Sequence, residues 1–161
     1  QGSQQLADWI GSGRTLVLCG HRIFVRTAIA PDRPPLLMIH GYPTASYDWV
    51  RIWPRLAARH SLYALDLLGE FGVDATLALG GTLVDSSVPR RLICGAVDPV
   101  SGRHLAERYR ELVPDPDVVL LDDVGHYPQL EAPDRVVDEY EAFRARVDAF
   151  LTEHEHLDQD V

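Results

Sequence analysis

In LLMIHGYPTASYDW, residues 36–49, four apolar residues in a row run straight into His40, Gly41 and Pro43 with no polar residue alternating among them. A short apolar run bounded by turn residues suits a strand buried on both faces, the kind found in parallel sheets. Pro31, Pro34 and Pro35 break the chain before it. After it, Trp49, Ile52, Trp53 and Leu56 recur at helical spacing while Arg51, Arg55 and Arg59 fall on other faces, so a helix is expected there. Pro54 is expected to weaken or kink the middle of that helix. LYALDLLG (62–69) reads as the next strand.

Upstream, RTLVLCGHRIFVRTA (14–28) reads as two short strands around Gly20-His21, a hairpin. Residues 1–13 are polar and Gly-rich, with Leu6, Trp9 and Ile10 as packing anchors. Downstream, RRLICG (90–95) is a strand ending near Asp98-Pro99, and SGRHLAERYRELV (101–113) is a helix with Ser101 as candidate N-cap. DVVLLDDVG (117–125) is the last strand, with His126 directly after it. Val136, Val137, Tyr140, Phe143, Val147, Phe150 and Leu151 give an amphipathic helix from Ala132 to about Glu153, and the tail HEHLDQDV should fray.

A hairpin followed by strand–helix alternation predicts an α/β fold: a mostly parallel sheet with flanking helices and an N-terminal antiparallel hairpin. One domain is expected over residues 1–161, with an N-terminal core part (14–69), an uncertain join (70–89) and a C-terminal core part (90–151). Sites in such sheets gather at the carboxyl ends of strands. His40-Gly41, Asp98 and His126 each stand at that end of their own strand.

Composition narrows the function classes. Apolar residues make up 46% and charged residues 24%, an ordinary globular balance. A net charge of −9 argues against nucleic acid, which needs a concentrated basic surface. All 15 basic residues are Arg, so no lysine chemistry is available. Cys19 and Cys94 end separate apolar runs and read as buried thiols. No run approaches a membrane span and the N-terminus lacks a signal-peptide pattern, so a soluble cytoplasmic protein is expected. The expected partner is a small-molecule substrate, with no cofactor, no metal, no nucleic acid and no membrane; a homo-oligomer stays open. His154 and His156 flank Glu155, but His-x-His in a polar tail is usually solvated.

Three segments in order, LLMIHGYPTASYDW (36–49), RLICGAVDPVSG (91–102) and VVLLDDVGHYPQLEAPDRV (118–136), resemble the α/β-hydrolase family, closest to its epoxide-hydrolase and haloalkane-dehalogenase branch. The resemblance covers most of residues 14–151. It implies His126 as general base, Asp98 as the carboxylate that fixes its tautomer, and the Tyr42 backbone N–H as an oxyanion-hole donor. His40, Gly41 and Pro43 would shape that loop. The 28 residues from Asp98 to His126 fit one strand–helix–strand step.

The sequence departs from the family at the nucleophile. No Gly-x-Nuc-x-Gly pattern occurs between Gly69 and Val88, and no cap region is present, so the nucleophile is unknown. The expectation is a truncated α/β-hydrolase-like chain or one with its middle segment missing. The preferred reading joins discontinuous segments with a seam near Glu70–Asp74. In a continuous chain, strands 36–40 and 90–95 should pair. The functional expectation is hydrolysis of an ester, epoxide or related bond; the alternative is a catalytically inactive binding module or scaffold.

Overall fold

A computed structural model of the chain describes residues 2–18, 20–41, 44–66 and 88–154, with residues 153 and 154 described as backbone only. The chain divides into two compact units, Gln1–Gly72 and Val73–Val161.

In the first unit, β1 (Gly13–Leu18) and β2 (His21–Ala28) form the expected antiparallel hairpin, from Gly13 opposite Arg26 to Leu18 opposite His21. Gly20, in the turn between them, has φ +81°, a conformation that glycine adopts without a Cβ clash. β3 (Pro35–Ile39) and β4 (Ser61–Leu65) pair in parallel, and β2 joins β4 antiparallel, giving the order β1-β2-β4-β3. The sheet is therefore mixed. Ser61 fixes the start of β4: its N–H donates to Pro34 O at 3.0 Å, and its hydroxyl donates to Ala30 O and accepts from Ala30 N–H.

The hydrophobic centre of this unit is aromatic. Helix α1 (Gly2–Gly11) places Trp9, 2% exposed, edge-on to Trp53 with centroids 5.1 Å apart. The Arg26 guanidinium lies 4.0 Å from the Trp9 ring centroid, a cation–π contact. Leu62 and Ala64 of β4 are fully buried beside them in the core, with Ile52 and Leu56. Of the three anchors expected in residues 1–13, Trp9 is in the core, whereas Leu6 and Ile10 are exposed. They lie on the outer side of a helix that the polar composition had concealed.

Two local expectations are corrected here. The helical stretch after Gly41 is split into a 3₁₀ turn (Ser46–Trp49) and a short helix α2 (Trp53–Ala57), and Pro54 sits in the first turn of α2. A missing N–H is harmless there, because first-turn N–H groups have no intrahelical partner. The second concerns β3. Met38 is buried, but Leu37 and Ile39 are more than half exposed, so the described residues do not cover both faces of the strand.

In the second unit, β5 (Leu92–Gly95), α3 (Arg103–Leu112) and β6 (Val118–Leu121) make a strand–helix–strand step with β5 and β6 parallel, Leu92 opposite Val118 and Gly95 opposite Leu121. A single turn, α4 (Pro128–Glu131), precedes the long α5 (Pro133–His154). Cys94, Ala106, Leu121, Val124 and Val137 form the core. Cys94 is a free, buried thiol, as its place at the end of an apolar run suggests. Arg91 bolts the amino ends of both strands to α5, with Nε donating to Asp117 at 2.9 Å and Nη1 to the carbonyl and carboxylate of Glu139. Arg146 donates to the same Asp117 carboxylate. Among the described residues, β3 pairs with β4 and β5 with β6. The join near Glu70–Asp74, Cys19 and His156 lie outside the described residues.

Candidate active site

At their carboxyl ends, β5 and β6 continue as loops that are stitched together. Ala96 N–H donates to Leu121 O at 2.8 Å and Val97 N–H to Val124 O at 3.2 Å. The loops approach so closely that a Cβ on Gly95 would stand 2.0 Å from the carbonyl oxygen of Gly125. Only glycine allows this approach, and it sets the residue before His126 against the end of the strand that leads to Asp98.

Asp98 is 5% exposed and fully engaged. Oδ1 accepts from Val100 N–H at 2.8 Å; Oδ2 accepts from Ser101 N–H at 3.0 Å, from the Ser101 hydroxyl at 2.5 Å and from His126 Nδ1 at 2.8 Å. Burial alone would raise the pKa of this carboxyl. The hydrogen bonds from the Ser101 hydroxyl, Val100 N–H, His126 and Ser101 N–H outweigh it and hold Asp98 well below the usual carboxylate range. Asp98 is therefore ionised at any ordinary pH.

A carboxylate can only accept, so the bond from Nδ1 assigns the neutral His126 proton to Nδ1 and leaves Nε2 as the basic nitrogen. The His126 side chain is 41% exposed against 3% for that of Asp98. The pair thus has an inner, fixed member and an outer, accessible one. Tyr127 stands edge-on to the imidazole at 4.8 Å.

Two residues of this site escaped the sequence reading. Ser101 is not the N-cap of α3; Gly102 holds that position, and the Ser101 hydroxyl is spent on Asp98 instead. Asp-Pro-x-Ser, with acceptor and hydroxyl three residues apart in a turn, is the signal that could have found it. Glu131 is the other. Its Oε2 accepts from Gly125 N–H at 2.7 Å and its Oε1 from Tyr127 N–H at 3.0 Å, the two residues on either side of His126.

In the first unit, His40 follows β3 and is buried, its Nδ1 donating to Gly41 O at 2.8 Å. Thr44 N–H donates to the same carbonyl, and Ser46 N–H donates to Asp66 Oδ1 at 2.9 Å, tying the loop after β3 to the end of β4. Tyr42 and Pro43 lie outside the described residues, as does most of the stretch where a nucleophile was sought. A cavity of about 320 Å³ in the second unit is lined by Arg90, Tyr109 and Asp117 at the amino ends of the strands, so it does not serve Asp98 and His126.

No family model matches the chain. It is 40% identical over 70 residues to the human mesoderm-specific transcript homolog protein, an alignment covering 42% of this chain and 21% of that protein. It is 31% identical over 62 residues to Lipase 1 of Psychrobacter immobilis, covering 38% and 20% respectively. The chain thus spans about a fifth of the length of these curated relatives. Among solved structures it resembles a bacterial membrane phospholipase A with TM-score 0.74 at 14% identity, over 91% of each chain. The fold is that of the α/β-hydrolases. In the α/β-hydrolase fold, as in other sheets of this class, ligands meet the carboxyl ends of the strands, where Asp98 and His126 stand.

Proposed function

We propose that this chain supplies the base, its carboxylate partner and the oxyanion loop of a hydrolase acting on carboxylic esters of small molecules. The observation that carries the reading is the bond between a buried, ionised Asp98 and the outward-facing His126 at 2.8 Å. His126 Nε2 takes a proton from an attacking hydroxyl or water as its oxygen bonds to the ester carbonyl carbon. The carbonyl electron pair moves onto oxygen, for which the family resemblance implies the Tyr42 N–H as donor. Collapse of the adduct breaks the bond to the alcohol oxygen, which receives the proton back from Nε2. Asp98 stays charged throughout and offsets the charge on the imidazolium. Both the lipase among the sequence relatives and the phospholipase among the structures bear names for ester-cleaving enzymes, which supports this bond over others.

The nucleophile is not assigned. The segment between Gly69 and Val88 contains no Gly-x-Nuc-x-Gly pattern, which favours a second reading, that of a binding module in which the pair is retained without turnover. The His40-Gly41-Tyr42-Pro43 loop leans toward epoxides as an additional substrate class. One experiment separates these. The 161-residue protein is assayed on p-nitrophenyl esters of short and medium chain and on an aryl epoxide, beside His126→Gln and Asp98→Asn. The ester reading expects turnover that falls on the order of 10³-fold or more in both variants, the scale of losing a base or its orienting carboxylate. Rates equal to those of the variants on every substrate would leave the binding module standing.

A further inference from the structure

We propose that Glu131 is a positioning residue for His126, holding the backbone on both sides of the imidazole while Asp98 holds the ring. The inference rests on the assignment of His126 as the base, but its geometry is independent of that role. Glu131 closes a ring of three hydrogen bonds. Its carboxylate accepts from Gly125 N–H at 2.7 Å and from Tyr127 N–H at 3.0 Å, and its own N–H donates to Tyr127 O at 2.9 Å.

The need for such a clamp follows from where His126 lies. It stands in the connection between β6 and α4, outside any ladder or helix, and the element after it is only four residues long. Regular hydrogen bonding reaches back only to the Tyr127 carbonyl, which accepts from the Leu130 and Glu131 N–H groups at the start of α4, and leaves the N–H groups of Gly125 and Tyr127 to other acceptors. A carboxylate that accepts two N–H groups from residues i−1 and i+1 pins both peptide planes flanking His126. These are charge-assisted bonds, roughly twice as strong as neutral ones. The space at Gly125 is matched to this arrangement: a Cβ there would lie 3.0 Å from Glu131 Oε2. With the backbone held, the imidazole meets Asp98 through one nitrogen, and Nε2 stays the basic one. Without it, the loop can turn the ring, and the Nδ1 bond to Asp98 is shared with other rotamers.

The test uses the full chain with Glu131→Gln and Glu131→Ala. Glutamine is nearly isosteric and can accept one of the two N–H groups through its carbonyl oxygen, while its amide presents donors to the other. Amide hydrogen exchange of Gly125 and Tyr127 and the His126 ring tautomer, read from imidazole nitrogen shifts, are recorded beside ester turnover. In Glu131→Gln, one of the two amides should exchange about tenfold faster and the Nδ1–H tautomer should give way to a mixture. In Glu131→Ala, both amides should lose protection. Should the alanine variant fail to fold, the glutamine variant alone decides. Unchanged tautomer and unchanged exchange at both amides in Glu131→Gln would overturn the proposal. So would faster amide exchange with the tautomer intact, because Glu131 would then support the loop without positioning the ring. The spectroscopic readouts need no turnover. A tautomer shift in a protein that hydrolyses nothing would keep the clamp and reject the hydrolase reading; ester turnover lost in His126→Gln, with the tautomer and turnover both indifferent to Glu131, would do the reverse.

Discussion

At the scale of single residues, the chemistry concentrates on Asp98, whose four donors overcome the effect of its burial. The consequence for stability has a definite sign. Its folded-state pKa lies below the unfolded value, so its contribution is fully present above the unfolded pKa of about 4 and is lost as pH falls through the folded-state value. Asp117, between Arg91 and Arg146, shifts in the same direction, burial being outweighed by those two guanidinium groups. Unfolding followed by circular dichroism from pH 6 to pH 2 should therefore show stability falling below about pH 4, with a shallower fall in Asp98→Asn. An equally steep acid limb in that variant would mean that Asp98 is not the ionised, hydrogen-bonded group described. The pairing of Asp98 with His126 was legible in the sequence because one strand–helix–strand step carries two strand ends to adjacent positions. The part played by Ser101 was not, since a serine before a helix reads equally well as a cap, and only the turn geometry after β5 aims its hydroxyl at Asp98.

At the scale of elements, β5 and β6 are held at both ends by different means. The amino ends depend on Arg91, 10% exposed in its side chain and bonded to Asp117 and Glu139. Replacing it with leucine should lower the unfolding free energy by roughly 2 kcal/mol, the scale of losing hydrogen bonds to charged partners, with Glu139 losing this guanidinium and Asp117 keeping only Arg146. A denaturant midpoint unchanged from the parent would show these bonds to be worth nothing net. The carboxyl ends depend on close packing at Gly95. A methyl group there meets Gly125 O at 2.0 Å, so Gly95→Ala must push the His126 loop off the strand. The expected cost is about 2–3 kcal/mol and, on the proposed ester hydrolysis, a lower turnover even in the folded fraction. Wild-type turnover and stability in Gly95→Ala would refute the close approach. The same scale explains the reading of Pro54. A proline inside a helical pattern predicts a kink, but the pattern spans two short elements, and the proline falls where a helix begins.

At the scale of the molecule, each unit carries its own core. Leu62, fully buried between β2 and β3 on β4, belongs to the first, and Val137 of α5, 1% exposed, to the second. Leu62→Ala should cost about 3 kcal/mol, since a large side chain is removed from a site with no solvent to refill it. The loss should appear as faster amide exchange in β2 and β4. Leu37→Ala, at a position more than half exposed, should change stability by less than about 0.5 kcal/mol. If the two substitutions were equally costly, the burial pattern of β3 and β4 would be wrong.

What the sequence by itself determined is the set of features written in local periodicity. Three motifs in order carried the resemblance that implied His126 and Asp98, while the hairpin of β1 and β2, the parallel pair of β5 and β6 and the long α5 follow from apolar runs, turn residues and spacing. These are short-range statements, and short-range physics decides them. Tertiary structure decided what depends on neighbours distant in sequence. That Trp9 turns inward while Ile10 turns out follows from where Trp53 and Arg26 lie. That β2 pairs with β4 is a matter of sheet order, which no apolar pattern encodes. That Glu131 reaches back to Gly125 and Tyr127 depends on the turn that α4 makes. A carboxylate five residues after a histidine carries no signature of its own; only the folded loop brings two N–H groups to it.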